Sequence, residues 1–150
     1  NNDKFEIYVL GENGKGQRYN EVIGYINLNK MKNVKFLGVV DPNDVGNIIK
    51  DFHIGLIPMI SNSFTNKIFD YIACYLPIFN IGLNDMGDFV KKYDIGWSSS
   101  FNQEEIDYIV NKISVKHIND KINNIKKIRH LYERKLLYKK IVNHIDKLKN

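Results

Sequence analysis

Short apolar runs alternate along this chain with longer stretches in which apolar residues recur at helical spacing. Residues 5–10, 34–37, 54–60 and 77–81 form compact runs rich in β-formers, and a weaker fifth spans 95–98. Runs of four to seven residues that are apolar on both sides, separated by helical patterns, predict parallel strands covered on both faces. The expected class is therefore α/β, a doubly wound parallel sheet of about five strands.

The intervening segments carry helix signals. Asp41-Pro42 offers a cap and a first-turn proline ahead of Val45, Ile48, Ile49 and Phe52, which share one helical face. Thr65 is a candidate cap for a helix over 66–75 that buries Ile68, Phe69, Ile72 and Ala73, and Pro77 stops it. Asn84 or Asp85 opens a short helix ending near Tyr93, and Asn102 with Glu105 forms a near capping box for 106–113. From His117 the pattern predicts one or two long helices, with Ile118, Ile122, Ile125, Ile128, Tyr132, Leu136, Ile141, Ile145 and Leu148 on one stripe. No internal repeat or low-complexity linker interrupts the series.

Composition fits this picture. The 150 residues are 43% hydrophobic and 26% charged with only 3 Pro, which is ordinary globular usage and excludes disordered or collagen-like chains. The single Cys74 can form neither an internal disulfide nor a Cys-rich zinc site. No apolar run approaches the roughly 20 residues of a membrane span, and Asn1-Asn2-Asp3-Lys4 leads straight into a strand-like run, so no secretion signal is expected. The four histidines share no metal-ligand spacing, and Trp97 reads as core.

The net charge of +5 changes meaning once it is divided. Residues 1–115 carry 11 basic and 14 acidic side chains, whereas 116–150 carry 11 basic and 3 acidic. We expect an α/β body over 1–115 and basic amphipathic helices over 116–150 packed on it. A basic tail suits phosphates of nucleic acid or a membrane surface, and the plainer reading is a solvated helix face.

In open α/β sheets ligands bind beyond the carboxyl ends of the strands. After the first strand, Gly11-Glu-Asn-Gly14-Lys15-Gly16-Gln-Arg18 combines small residues with two cations that suit an anion, although it matches neither a dinucleotide fingerprint nor a P-loop. The plainer reading is a Gly-rich turn. After the second, Gly38-Val39-Val40 offers a small apolar ledge for the flat face of a base. After the third, polar residues crowd a helix start, and Lys67 and Asp70 share a face at i, i+3. A cation there suits a diphosphate, and a carboxylate one turn on can accept two hydrogen bonds from a ribose diol.

The segment Thr65-Asn66-Lys67-Ile68-Phe69-Asp70-Tyr71, followed by Leu76-Pro77-Ile78, resembles the signature of the C-terminal, nucleotide-sugar-binding half of GT-B glycosyltransferases of the large retaining group. Tyr8-Val9-Leu10-Gly11, the strand 34–38, the strand entry 51–56 and Asp94-Ile95-Gly96-Trp97 follow in the same order, so the likeness covers about residues 5–114. It implies a donor-binding half that takes a nucleoside-diphosphate sugar and serves transfer to a glycan or lipid-linked acceptor in polysaccharide or cell-envelope synthesis. The paired acids of the family, eight apart, fall on Asn62 and Asp70; Asp70 keeps the carboxylate for the ribose, and Asn62 keeps hydrogen bonding to sugar hydroxyls without charge. Asn66 and Lys67, with the amides of Phe64 and Thr65, would face the diphosphate, Gly38, Val39 and Val40 the base, and Gly11, Lys15 and Arg18 the donor's anionic part. Tyr75 departs from the glycine common before Leu-Pro.

The resemblance further implies a preceding strand and an N-terminal domain with the acceptor site, so that the 150 residues alone are not expected to turn over. If the sheet closes without that strand, the first and third strands become neighbours in the order 2-1-3-4-5; alternatively a partner chain fills the gap. No metal or other cofactor is implied, because there is no Asp-x-Asp and lysines with helix amides can replace a cation. A cytoplasmic location, at the inner face of the membrane, is expected, with no nucleic-acid partner. The competing readings are a nucleic-acid-binding module resting on the tail, a phosphate-binding regulatory domain, and a nucleotide-sugar epimerase. The second lacks an acidic cluster after the first strand, and the Asn66-Lys67…Asp70-Tyr71 helix argues against the third.

Overall fold

A computed structural model of the chain describes residues 4–11, 17–62 and 64–132. Strand and helix alternate throughout: β1 (Ile7–Leu10), α1 (Gln17–Leu28), β2 (Val34–Gly38), α2 (Val45–Ile49), β3 (Gly55–Pro58), α3 (Lys67–Ala73), β4 (Ile78–Ile81), α4 (Asp85–Lys92), β5 (Gly96–Ser99), α5 (Gln103–Lys112) and α6 (Val115–Ile128), ending in a 3₁₀ turn, Arg129–Tyr132. All three ladders are parallel, as alternating βα units require. The class is α/β and Rossmann-like.

The five strands form two sheets, β1-β2 and β3-β4-β5, and the chain divides into two compact units, Asn1–Val45 and Gly46–Asn150. The expected pairing of β1 with β3 is absent. Gly55 N donates to Pro77 O and Met59 N to Ile81 O, which turns the backbone of positions 56 and 58 toward the other edge, and Pro58 has no N–H to offer. That edge presents a single strand amide, Leu56.

In the first unit Ile7 pairs with Val34 and Val9 with Phe36; a register shift then leaves Leu37 unpaired and sets Leu10 opposite Gly38. Tyr19 of α1 meets the Phe36 ring edge-on at 5.9 Å. Among the described residues of this unit no side chain is fully buried.

The second unit holds the core. β4 is central, and Ile78, Phe79 and Asn80 are buried along it. Ile57, Ile68 and Ile72 of α3, Met86 and Val90 of α4, Ile95, and Ile125 and Ile128 of α6 close around Ile78. Each such aliphatic side chain contributes about 1.5–3 kcal/mol. Gly96 is required by contact, since a Cβ there would lie 1.8 Å from Ile78 O. α6 is tied to the end of α4 by Lys121, which pairs with the Asp94 carboxylate, and by Asn124 Nδ2, which donates to Asp94 O at 3.0 Å and Oδ2 at 2.9 Å.

Helix ends differ from expectation in instructive ways. α1, α3 and α4 all finish in the same double bond pattern: Met31 N to Ile26 O with Lys30 N to Asn27 O, Leu76 N to Tyr71 O with Tyr75 N to Ile72 O, and Ile95 N to Val90 O with Asp94 N to Lys91 O. This is the Schellman arrangement, whose left-handed residue is usually glycine. Here it is Lys30, Tyr75 and Asp94, with φ of 50°, 59° and 51°. Tyr75, which departs from the glycine of the resembled signature, adopts the glycine-favoured conformation and places its ring under the Arg129 guanidinium, 4.7 Å away, with its hydroxyl bonded to that group.

Two capping expectations and one of burial need correction. Thr65 does not cap α3; Asn66 occupies that position in helical conformation without a side-chain bond, because the first turn closes instead through Ile68 N to Thr65 O and Phe69 N to Asn66 O. Ala73 is exposed, since the helix ends there. Asp41 organises the turn before α2, accepting Asn43 N at 2.8 Å, rather than the helix itself. Asn84 and Asn102 do cap α4 and α5, accepting Gly87 N and Glu105 N. α6 starts earlier than His117, where Ser114 accepts His117 N.

Candidate functional site

The carboxyl edge of β1-β2 brings two of the expected residues together. Gly11 N donates to Gly38 O at 2.9 Å, and both glycines have positive φ, 142° and 74°. Their backbone therefore turns where a side chain would be strained. Val39 follows with 75% of its surface exposed, and Val40 is half-buried. Arg18 is the second residue of α1; Lys15 lies outside the described residues.

In the second unit the segment after β3 runs from an exposed Asn62 to α3. Asn66, Lys67 and Asp70 are exposed, Thr65 is half-buried, and Ile68 and Ile72 of the same helix are fully buried. The period of α3 thus separates a polar, solvent-facing side from its core side. Asp70 is close enough to its neighbours to act on them. Burial pushes the Tyr71 phenol above its ordinary range, and the Asp70 charge adds to it. Burial likewise raises the Cys74 thiol, with Asp70 again adding and Arg129 opposing.

Phe64 fixes this segment. Its ring is 5.9 Å from Phe69 and 5.5 Å, edge-on, from Phe89 of α4; Phe89 in turn meets Tyr93 and Tyr132 at 4.8 and 5.6 Å. Edge and tilted packing of this kind adds about 0.5–1.5 kcal/mol per pair beyond burial. The Tyr132 phenol is pushed strongly upward, first by burial and then by its hydrogen bond to Tyr93.

Asn62 faces the start of α4. It lines a depression of about 270 Å³ with Gly82, Asn84, Asp88, Lys91 and Ser98 at the start of α4. A second depression of about 490 Å³ continues from it through Leu83, Lys91 and Ser98 to Ser100, Glu104 and Tyr108. Asn84 builds the wall at the junction: its Oδ1 accepts Gly87 N at 3.0 Å and its Nδ2 donates to Met59 O, joining the loops after β3 and β4. On the far side Glu105 accepts from Ser100 N and Oγ at 2.8 and 2.7 Å, which lowers its carboxyl pKa through those bonds.

Compared with known proteins, the chain matches no family model, no curated protein and no solved structure. Function is therefore argued from the site.

Sequence reasoning located the loops after β1, β2 and β3 and passed over those after β4 and β5. Two signals were present: the polar run 98–100 ending the fifth apolar run, and Asn80 inside the apolar run 77–81. Asn80 is fully buried, and its Nδ2 donates to Gly82 O at 2.8 Å, which holds the turn that opens the groove. Among the described residues no three His, Cys, Asp or Glu side chains group as metal ligands, and no helix is long and apolar enough to cross a membrane.

Proposed function

We propose that this chain is the donor-binding half of a glycosyltransferase that uses a nucleoside-diphosphate sugar. The observation that carries the reading is the open polar side of α3. Asn66, Lys67 and Asp70 face solvent at the carboxyl edge of β3 while the same helix buries Ile68 and Ile72, so a cation and a carboxylate stand one turn apart on an accessible surface. Lys67 would hold the diphosphate as a point charge, and Asp70 would accept the ribose hydroxyls. Stabilising the leaving diphosphate is electrostatic work, which preorganised cations perform without base catalysis from this half. A cytoplasmic enzyme acting on glycan or lipid-linked acceptors at the inner membrane face follows from the same reading, with no metal and no nucleic acid.

The test is a thermal-shift panel of UDP, GDP, ADP and CMP against the full chain and Asp70→Ala. A ligand at a hundred times its Kd stabilises by about 2.7 kcal/mol. We expect one nucleoside diphosphate to raise Tm, CMP to fail, and Asp70→Ala to abolish the shift while changing the ligand-free Tm little, since the residue is exposed. No shift with any diphosphate removes the reading.

A further inference from the structure

The groove along the carboxyl ends of β4 and β5 is built for a ligand unlike a diphosphate. We propose that it takes a neutral saccharide, an assignment that rests on the glycosyltransferase reading for the choice of a sugar. Its charge points away from phosphate: among the described residues, Asp85, Asp88, Glu104 and Glu105 line the two joined depressions against one ammonium, that of Lys91. An anion would meet net repulsion there. Those carboxylates do not gather as metal ligands among the described residues; Glu105 is engaged by Ser100, and Asp85, Asp88 and Glu104 offer hydrogen-bond acceptors to the groove.

The remaining walls match a sugar ring, which has polar edges and apolar C–H faces. Ser98 supplies a hydroxyl partner, Asn84 and Ser100 being held in the wall by their bonds to Gly87, Met59 and Glu105, whereas Leu83, 77% exposed, and Tyr108, 61% exposed, supply apolar surface. A second observation points the same way. Ser99, which also lines the larger depression, is 4% exposed, and its Oγ has no hydrogen-bond partner among the described residues. A buried hydroxyl without a partner is costly unless something completes it. The larger depression, about 490 Å³, falls within the roughly 300–1,000 Å³ of small-molecule sites.

The test uses the ¹⁵N-labelled full chain titrated separately with glucose, galactose, N-acetylglucosamine and UDP. At least one sugar is expected to move the amides of 82–88 and 98–100, with UDP moving those of 64–70 and leaving the groove unmoved. Asp88→Asn and Tyr108→Ala, both at exposed positions, should each weaken sugar binding about tenfold while the rest of the spectrum is unchanged. Sugars that leave 82–88 and 98–100 unmoved, UDP that moves them, or an affinity indifferent to both substitutions overturns the assignment. Silence at 64–70 with a response in the groove would instead overturn the nucleotide reading and leave a saccharide-binding groove.

Discussion

Tyr75 and Tyr71 show how much a single residue in this chain carries. Tyr75 accepts a left-handed backbone that costs a non-glycine residue about 1–2 kcal/mol, and its ring contact with Arg129 offsets the cost. Tyr75→Ala keeps the strain and loses the contact, so it should destabilise by about 2–3 kcal/mol. Tyr75→Gly loses the contact but relieves the strain and should be milder by about 1 kcal/mol in urea unfolding. A glycine variant no more stable than the alanine variant would contradict this. Tyr71 gives a pH dependence. Its phenol is raised above 10.0 by burial, so its neutral form is favoured in the fold. That contribution is complete below the unfolded value and is lost as pH rises through the folded one. Tyr71→Phe should therefore shallow the decline in urea midpoint above pH 10, and an unchanged alkaline limb would show the phenol to be unimportant. The polar residues of α3 were legible because helical period alone separates Asn66, Lys67 and Asp70 from Ile68 and Ile72. The role of Tyr75 was not, since its partner Arg129 lies far along the sequence.

Element boundaries were legible wherever the stop or start signal is local. Asn84 and Asn102 cap their helices through their own side chains, and the apolar runs 34–37 and 77–81 became β2 and β4 almost residue for residue. The run 54–60 shortened to Gly55–Pro58 because only those residues find ladder partners on β4. Helix ends were the hard part. Glycine is the sequence sign of a Schellman stop, and α1, α3 and α4 stop without one. Lys30 is the cleanest place to test this: it is exposed, its φ is 50°, and no side-chain packing opposes a change. Lys30→Gly should stabilise the end of α1 by about 1 kcal/mol, the left-handed cost exceeding the added chain entropy of glycine. Amide exchange at Lys30 and Met31, whose N–H groups close the motif, would slow about fivefold. Exchange that quickens would mean the backbone there is not held left-handed.

At the scale of the whole chain, apolar pattern predicted strands but not how much apolar surface each would bury. Every fully buried residue among those described lies at Ile49 or later, whereas Ile7, Val9, Val22, Leu28 and Leu37 of the first unit remain substantially exposed. Burial is decided by which edges and faces meet, and that is a long-range property: β1 and β2 form one ladder, and β3, β4 and β5 another sheet. The free energy that resists local opening follows buried apolar contact. The ladder of β1 and β2 is covered at Phe36 by the Tyr19 ring, while β4 is sealed by Ile68, Met86, Val90 and Ile125. Hydrogen exchange read by mass spectrometry should accordingly resolve two levels of protection. Amides of β4 and α4 should open only with the second unit, and those of β1, α1 and β2 should exchange at least about a hundredfold faster, a difference of about 3 kcal/mol in opening free energy. Ile72→Ala, at a site 1% exposed, should lower protection in β4 by about 2–4 kcal/mol and leave that of β1 and β2 as it was, because each unit's ladder is internal to it. Equal protection in β1 and β4, or a loss in β1 on truncating Ile72, would mean that the two units open as one.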